Sequence, residues 1–288
     1  MKYSMNKISV YGGSGFIGSN FISKYPEKSF FVPRDCNYID CNQSLYFIST
    51  NNNYNIFEDT KIDIKTNIEK LIDVLDEHRK QKFCGVFNFI SSWFVYGFQQ
   101  EMPVKEDACC NPTGFYSITK YSAEMLLKSY CETFGMKYRI LRLCNIVGND
   151  KGISAKKNAL QYMFKLIMRN EDVKVYDNGS PIRDIMHVDD ACRAISICLE
   201  RGETNSAYNI SNSDAKPIID YITIAKNITN SNSKIDFIRA PDFHKKVQAK
   251  DMWLDNSKII NMGYVPSISS LQTCEMVIKE MIKNEQRY

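Results

Sequence analysis

A doubly wound, parallel α/β sheet is the fold class this sequence predicts, and three observations predict it. Short β-prone runs alternate with amphipathic helical stretches through the first half. Four of the chain's 13 glycines, Gly12, Gly13, Gly15 and Gly18, crowd into seven positions directly after the first such run. A serine pair, Ser91-Ser92, follows the apolar run at 86–90, where a central strand would end.

The elements follow in order. Residues 7–11 read as a strand, 17–24 as a helix and 29–32 as a second strand. Over 67–79, Ile68, Leu71, Ile72 and Leu75 recur at helical spacing. The run at 86–90 is apolar and β-prone, 113–134 predicts a long helix, and 138–143 another strand. Strands that alternate with helices pair in parallel through crossovers. Beyond Asn149 the alternation is less regular, and 227–233 reads as a polar loop. The organisation predicted is a dinucleotide-binding unit over 1–148, with 184–211 returning to it. A smaller C-terminal substrate-binding lobe, 149–183 and 212–288, packs on the sheet.

Composition removes several classes of function. The chain has 37 Lys and Arg against 33 Asp and Glu, a net charge of +4 with no long basic run, so nucleic-acid binding has no electrostatic footprint. An uncharged stretch, 85–98, is too short and polar to span a bilayer, and Lys2, Asn6 and Lys7 interrupt any leader-like apolar core. A cytoplasmic, non-membrane protein is expected. Ten cysteines without a CxxC pair, beside three histidines without HxxxH, predict reduced thiols used as apolar fillers and no metal site.

At a strand-to-helix junction, clustered glycines permit a tight turn and close backbone approach, and the helix N–H groups and dipole attract a diphosphate. The cluster therefore predicts a Rossmann-type dinucleotide site built on Gly12, Ser14, Gly15, Phe16, Ile17 and Gly18. Where the second strand stops decides the cofactor. If it ends at Val32 or Pro33, Arg34 stands where a 2′-phosphate lies and NADP is favoured. If it ends later, Asp35 takes the ribose and NAD is favoured. Asp40 joins these two in the predicted cofactor set.

Tyr116 and Lys120 lie four apart on the long helix and so share a face. A lysine ammonium beside a phenol favours the phenolate, lowering a pKa of about 10. Such a tyrosine moves a proton at a carbonyl or hydroxyl during hydride transfer. Ser92, at the carboxyl edge where open α/β sheets bind ligands, is set to orient the same oxygen.

Taken together in order over residues 12–263, these motifs resemble the extended short-chain dehydrogenase/reductase family of nucleotide-sugar epimerases, dehydratases and reductases. The motifs are Gly12-Gly-Ser-Gly15-Phe-Ile-Gly18, Ser91-Ser92-Trp93-Phe94-Val95-Tyr96-Gly97 and Tyr116-Ser-Ile-Thr-Lys120. Arg142-Leu-Cys-Asn145-Ile-Val-Gly148, Arg183-Asp-Ile-Met-His187-Val-Asp189-Asp190 and Asp255-Asn-Ser-Lys258 continue the series. The resemblance implies that Ser92 is the catalytic hydroxyl, Tyr116 the acid/base, and Lys120 a holder of the nicotinamide ribose. It implies that Asn145, Arg183 and Arg239 hold a substrate diphosphate, with Ser92 and Trp93 beside the sugar and Tyr176 bordering the base.

Three departures matter. Trp93 and Phe94 occupy positions that are Asp-Glu in the sugar 4,6-dehydratases, and neither ring transfers a proton. The stretch 40–67 is short, offering Asn55-Ile-Phe-Glu-Asp59 where a small-residue pair normally faces the pyrophosphate. Tyr11 replaces a small residue before the glycines. The resulting expectation is a homodimeric oxidoreductase that reduces the 4-keto carbon of a nucleoside-diphosphate sugar with NADPH. A 4-epimerase with retained NAD is the alternative, and a non-catalytic dinucleotide sensor the third reading. The dimer implied is a four-helix bundle of 67–79 and 113–134, in which Ala123, Leu126 and Leu127 either supply apolar faces or pack in the chain's own core.

Overall fold

The computed structural model describes residues 4–34, 36, 41–148, 150, 152–154 and 157–285. The chain opens with β1 (Ser4–Tyr11), α1 (Phe16–Lys24), β2 (Ser29–Val32) and β3 (Cys41–Tyr46). A continuous helical stretch follows, composed of α2 (Ile62–Ile64), one π-helical turn (Lys65–Glu69) and α3 (Lys70–Lys80). Next come β4 (Val86–Ser92), α4 (Phe115–Phe134), β5 (Lys137–Leu143) and β6 (Asn145–Val147). The remainder comprises α5 (Ala159–Met168), β7 (Val173–Tyr176), β8 (Ile182–His187), α6 (Val188–Arg201) and β9 (Ser206–Ile210). It ends with β10 (Ala215–Pro217), α7 (Ile218–Thr229), β11 (Ile235–Ile238), α8 (Asp242–Val247), α9 (Ser257–Asn261) and α10 (Ser270–Glu285).

Six strands pair in parallel in the order β2-β1-β3-β4-β5-β9. The period of two along each strand divides the core between the sheet's faces. Val10, Leu45, Ile90 and Leu141 pack with Phe21 of α1 and with Ala191 and Ile195 of α6. Their neighbours Tyr11, Tyr46, Phe89 and Ile140 pack with Leu71 and Val74 of α3 and with Ala123 and Leu127 of α4. Tyr11 is thus a filler of the α3/α4 face, 6.1 Å from the Tyr46 ring and 5.7 Å from His78. A third core, with Phe164, Val173, Tyr221 and Val277, holds α5, α7 and α10 against β7.

Two sequence expectations need correction. Strand β3 was not foreseen, because Asn42, Gln43 and Ser44 interrupt any apolar pattern. Their polarity is absorbed locally: Ser44 is buried and its hydroxyl lies 2.7 Å from His78 Nε2, and Gln43 donates to Leu199 O at 3.0 Å. β3 pairs with β1 on the side opposite β2, so it is the strand after the switch point. Among the described residues no strand lies outside β2, where the standard order has one. That missing unit is why 40–67 is short. Just past β3 the backbone of Phe47 and Ile48 lies against Gly12, whereas the segment 55–59 lies in and after a 3₁₀ turn (Asn53–Phe57). The polar loop placed at 227–233 is also shorter, since α7 runs on to Thr229 before Asn230 turns left-handed.

The β1–α1 turn shows which glycines serve the fold. A Cβ on Gly18 would sit 2.5 Å from Gly12 O and 2.9 Å from Gly13 Cα, a clash with backbone. On Gly15 a Cβ would meet only Gly12 O, at 3.2 Å, and otherwise open space. Gly18→Ala is expected to destabilise the protein by roughly 1–3 kcal/mol, as overpacking does. Gly15→Ala is expected to keep nearly the wild-type melting temperature but to weaken dinucleotide binding at least tenfold, about 1.4 kcal/mol. Calorimetric melting and titration with NADPH and NADH measure both, and equal affinity in wild type and Gly15→Ala would remove the turn from the cofactor site.

His78 gives the fold a pH dependence. Burial pushes its imidazole down to about 4, and its nitrogens contact Val74 O and the Ser44 hydroxyl. Because the unfolded chain binds this proton more readily, stability is full above the ordinary pKa and is lost as pH falls toward 4. The loss amounts to roughly 3 kcal/mol. Urea midpoints should fall across that window, and less steeply in His78→Phe.

Candidate active site

The site forms at the carboxyl edge of the sheet, where β1, β3 and β4 deliver the glycine turn, Ser49-Thr50 and Ser91-Ser92. α4 approaches the same edge from its N-terminus. Gly114 precedes it and donates to Ser117 Oγ at 3.0 Å, closing the first turn, and Gly135 at φ +66° ends it. Its buried stripe runs Tyr116, Lys120, Ala123, Leu127 and Cys131, which is helical spacing spent on facing the sheet.

Tyr116 and Lys120 are both almost fully buried. The lysine Nζ donates to Ile90 O at 2.7 Å and rests 4.1 Å over the Phe89 ring. Burial pushes the ammonium down to about 7, against the opposing charge of Glu124. The phenol moves the other way, up to about 12, chiefly through burial, with the hydroxyls of Ser92 and Ser49 acting against the rise. This corrects the expectation that Lys120 lowers the phenol pKa. Each group is stripped of water, so each is driven toward its neutral form, and the ammonium spends its bond on a carbonyl. Tyr116 accordingly holds its proton at neutral pH.

Ser92 begins the next turn, accepting from Phe94 N at 3.4 Å. Trp93 and Phe94 stack with centroids 4.0 Å apart, and Phe94 meets the Tyr116 ring edge-on at 5.6 Å. An apolar wall therefore stands beside the phenol. Trp93 also joins the residues assigned to the substrate. Its Nε1 donates to Asn145 Oδ1 at 3.3 Å, and the Arg183 guanidinium lies 5.4 Å from its ring. Arg183 is buried and donates to Ile182 O at 2.8 Å, Ala249 O at 2.7 Å and Lys250 O, so the 249–250 segment straps it down. Burial pushes its pKa down to about 10.

Tyr176 packs 4.8 Å from His244 of α8, whose Nδ1 lies 2.9 Å from the Tyr54 hydroxyl. Burial, then the charge of Arg183, lower the His244 pKa, so these rings and Arg183 share one neighbourhood. Arg239 is exposed between β11 and α8. β2 ends at Val32, and Arg34 stands exposed two residues on. Asp35 and Asp40 lie outside the described residues. The open space at Gly15 fits a group that must approach backbone closely, as a diphosphate does. Among the described residues no cluster of His, Cys, Asp and Glu could hold a metal, and no helix is long and apolar enough to cross a membrane. All ten cysteines are free thiols.

Three residues that sequence reasoning missed are Ser49, Asn67 and His244. Asn67, buried in the π-helical turn, accepts from Thr50 N at 2.9 Å and donates to Thr50 Oγ1 at 2.8 Å and Thr119 Oγ1 at 3.0 Å. It ties the segment after β3 to the second turn of α4. A lone Asn or Ser in a polar stretch carries no sequence signal for this, though a π-turn often marks a functional site.

Comparison with known proteins agrees with this fold. The chain is 22% identical to the human dTDP-D-glucose 4,6-dehydratase over 91% of its length and 86% of the relative's. UDP-glucose 4-epimerase of Thermotoga maritima, solved with UDP-glucose, superposes with a TM-score of 0.86 at 22% identity, over 97% of this chain and 99% of that one. The structure of RMD from Pseudomonas aeruginosa complexed with NADPH gives 0.84 at 20% identity, over 97% and 100%. Residues 49–211, more than half of the chain and spanning Ser92, Tyr116, Lys120 and Arg183, match the model of one family, and the protein belongs to it: the NAD dependent epimerase/dehydratase family.

Proposed function

We propose that this protein reduces the 4-keto carbon of a nucleoside-diphosphate sugar, using NADPH. The carrying observation is the Tyr116 phenol, kept protonated by burial beside the Ser92 hydroxyl, with only the rings of Trp93 and Phe94 for neighbours on the β4 turn. A proton donor is what a ketone reduction needs at that point. Water elimination needs further acid and base groups, and the two aromatic rings provide none.

In this reading residues 1–148 and 184–211 hold the dinucleotide, and 149–183 with 212–288 hold the sugar nucleotide. A bound nicotinamide supplies the hydride. Tyr116 gives its Oη proton to the carbonyl oxygen, and Ser92 donates a hydrogen bond to the same oxygen. Lys120 keeps a partial positive charge near the phenolate that forms. Gly12 to Gly18 seat the dinucleotide diphosphate; Arg183 and Asn145 lie where the substrate diphosphate is expected, with Tyr176 at the base. NADPH is favoured because β2 stops at Val32, the condition under which Arg34 meets a 2′-phosphate. Solved relatives hold either dinucleotide, NADPH in that of Pseudomonas aeruginosa and NAD in that of Bacillus cereus, so the Arg34 placement alone carries the choice.

A 4-epimerase is the competing reading, supported by the likeness to the Thermotoga maritima enzyme. A homodimer is also proposed. Leu126 and Met125 are exposed on α4 together with Ile118, whereas Ala123 and Leu127 are spent on the chain's own core.

Incubation with nucleotide-linked 4-keto and 4-hydroxy sugars separates the readings. A reductase consumes NADPH in step with product; interconversion of 4-hydroxy sugars with no net cofactor change would establish the epimerase instead. Tyr116→Phe should lower kcat by roughly 10²–10⁴-fold with KM little changed. Arg34→Asp should shift preference from NADPH toward NADH, and a wild type that already prefers NADH would remove Arg34 from the cofactor site.

A further inference from the structure

The Tyr116 phenol has a second hydroxyl beside it that its motif does not supply. Tyr46 of β3 is paired with Phe89 of β4. That is the last pair of the two strands; three residues further along each chain stand Ser49 and Ser92, both at the carboxyl edge of the sheet. We propose that Ser49 is a positioning residue for the Tyr116 proton, acting from β3 as Ser92 acts from β4; the proposal rests on Tyr116 being the proton donor.

Its surroundings fit a hydroxyl that changes partners. Ser49 Oγ donates toward Thr50 O at 2.6 Å and toward Asn67 Oδ1 at 3.1 Å, two acceptors for one hydrogen. Asn67 in turn holds Thr119, whose hydroxyl donates to Tyr116 O at 3.0 Å. The serine and the tyrosine are thereby fixed to one amide, and their separation cannot drift independently. While the phenol is protonated, the Ser49 hydrogen rests on the Thr50 or Asn67 oxygen. When Tyr116 Oη gives its proton to the substrate carbonyl oxygen, the new phenolate is the strongest acceptor in reach. Ser49 turns its O–H to that oxygen and keeps its own proton throughout. Both serine hydroxyls already act against the burial that raises the phenol pKa. Asp63, which accepts from Thr50 Oγ1 and from Asn55 Nδ2 at 3.0 Å, faces the phenol from the helical side and acts in the opposite direction.

Ser49→Ala and Ser49→Thr test this in two independent ways. With a nucleotide-linked 4-keto sugar and NADPH, Ser49→Ala should lower kcat about tenfold, as loss of a bond to a charged oxygen does, with KM and NADPH affinity unchanged. The alkaline limb of its pH profile should move to higher pH, because the phenolate has lost a donor, and Ser49→Thr should restore both. The second readout needs no turnover. In protein labelled at the tyrosine ζ carbon, the Tyr116 resonance, assigned by its disappearance in Tyr116→Phe, should shift in Ser49→Ala and return in Ser49→Thr. A resonance that stays in place, or a pH limb and kcat equal to wild type, overturns the proposal. A resonance that shifts in a protein inert toward every sugar supports the contact and overturns the assigned reaction instead.

Discussion

A buried ion pair holds the helix from which the site hangs. Arg142 on β5 grips Glu124 on α4 through two parallel bonds, of 3.1 and 2.7 Å, and neither side chain reaches solvent appreciably. The Tyr96 ring lies 4.7 Å from the guanidinium. Removing one partner from such a pair strands a charge in the interior, at a cost of about 3–5 kcal/mol. Glu124, Lys120 and Tyr116 follow one another at intervals of four along one helical face. The pair therefore sets the height and rotation of α4 against the sheet, and with them the depth of the phenol.

At the opposite end of that face the constraint is neutral. Asn67 knots the end of β3 to Thr119, and Ser117 closes the N-terminus of α4 around Gly114. Charge fixes the middle of the helix and amide hydrogen bonds fix its tip. Tyr116 sits at that tip, between Gly114 and Ser117 and one turn before Lys120, so its backbone is held where the phenol is dehydrated. The same dehydration reverses the relation expected between Tyr116 and Lys120, because burial raises the phenol and lowers the ammonium.

Much of this was legible in the residues. The strands at 29–32 and 86–90 and the helix over 113–134 carry period-two or period-3.6 signals that survive folding nearly unshifted. The glycine turn, Ser92, Tyr116 and Lys120 could be read because they stand in one order at fixed spacings, even though the chain has 17 tyrosines. What escaped notice was polar. β3 hides behind Asn42, Gln43 and Ser44, whose partners His78 and Leu199 lie far along the chain, and burial of that kind has no local signature. Ser49 and His244 escaped for the same reason, since their meaning comes wholly from what the topology sets beside them. The shift of Tyr116 was misjudged because spacing reveals neighbours and says nothing of water.

The sheet that ends at β2 bears on how small such a platform can be made. Every residue assigned to proton movement rises from β3, β4 or the helix between β4 and β5. Those strands lie in the interior, paired on both sides. Deleting an interior strand would open two unpaired borders and split the core on both faces. Trimming a unit from the margin merely relocates one border, here onto a strand four residues long. The chemistry is thus insulated from the perimeter, and the perimeter is where a lineage or an engineer can shorten the chain without touching a single proton-handling group.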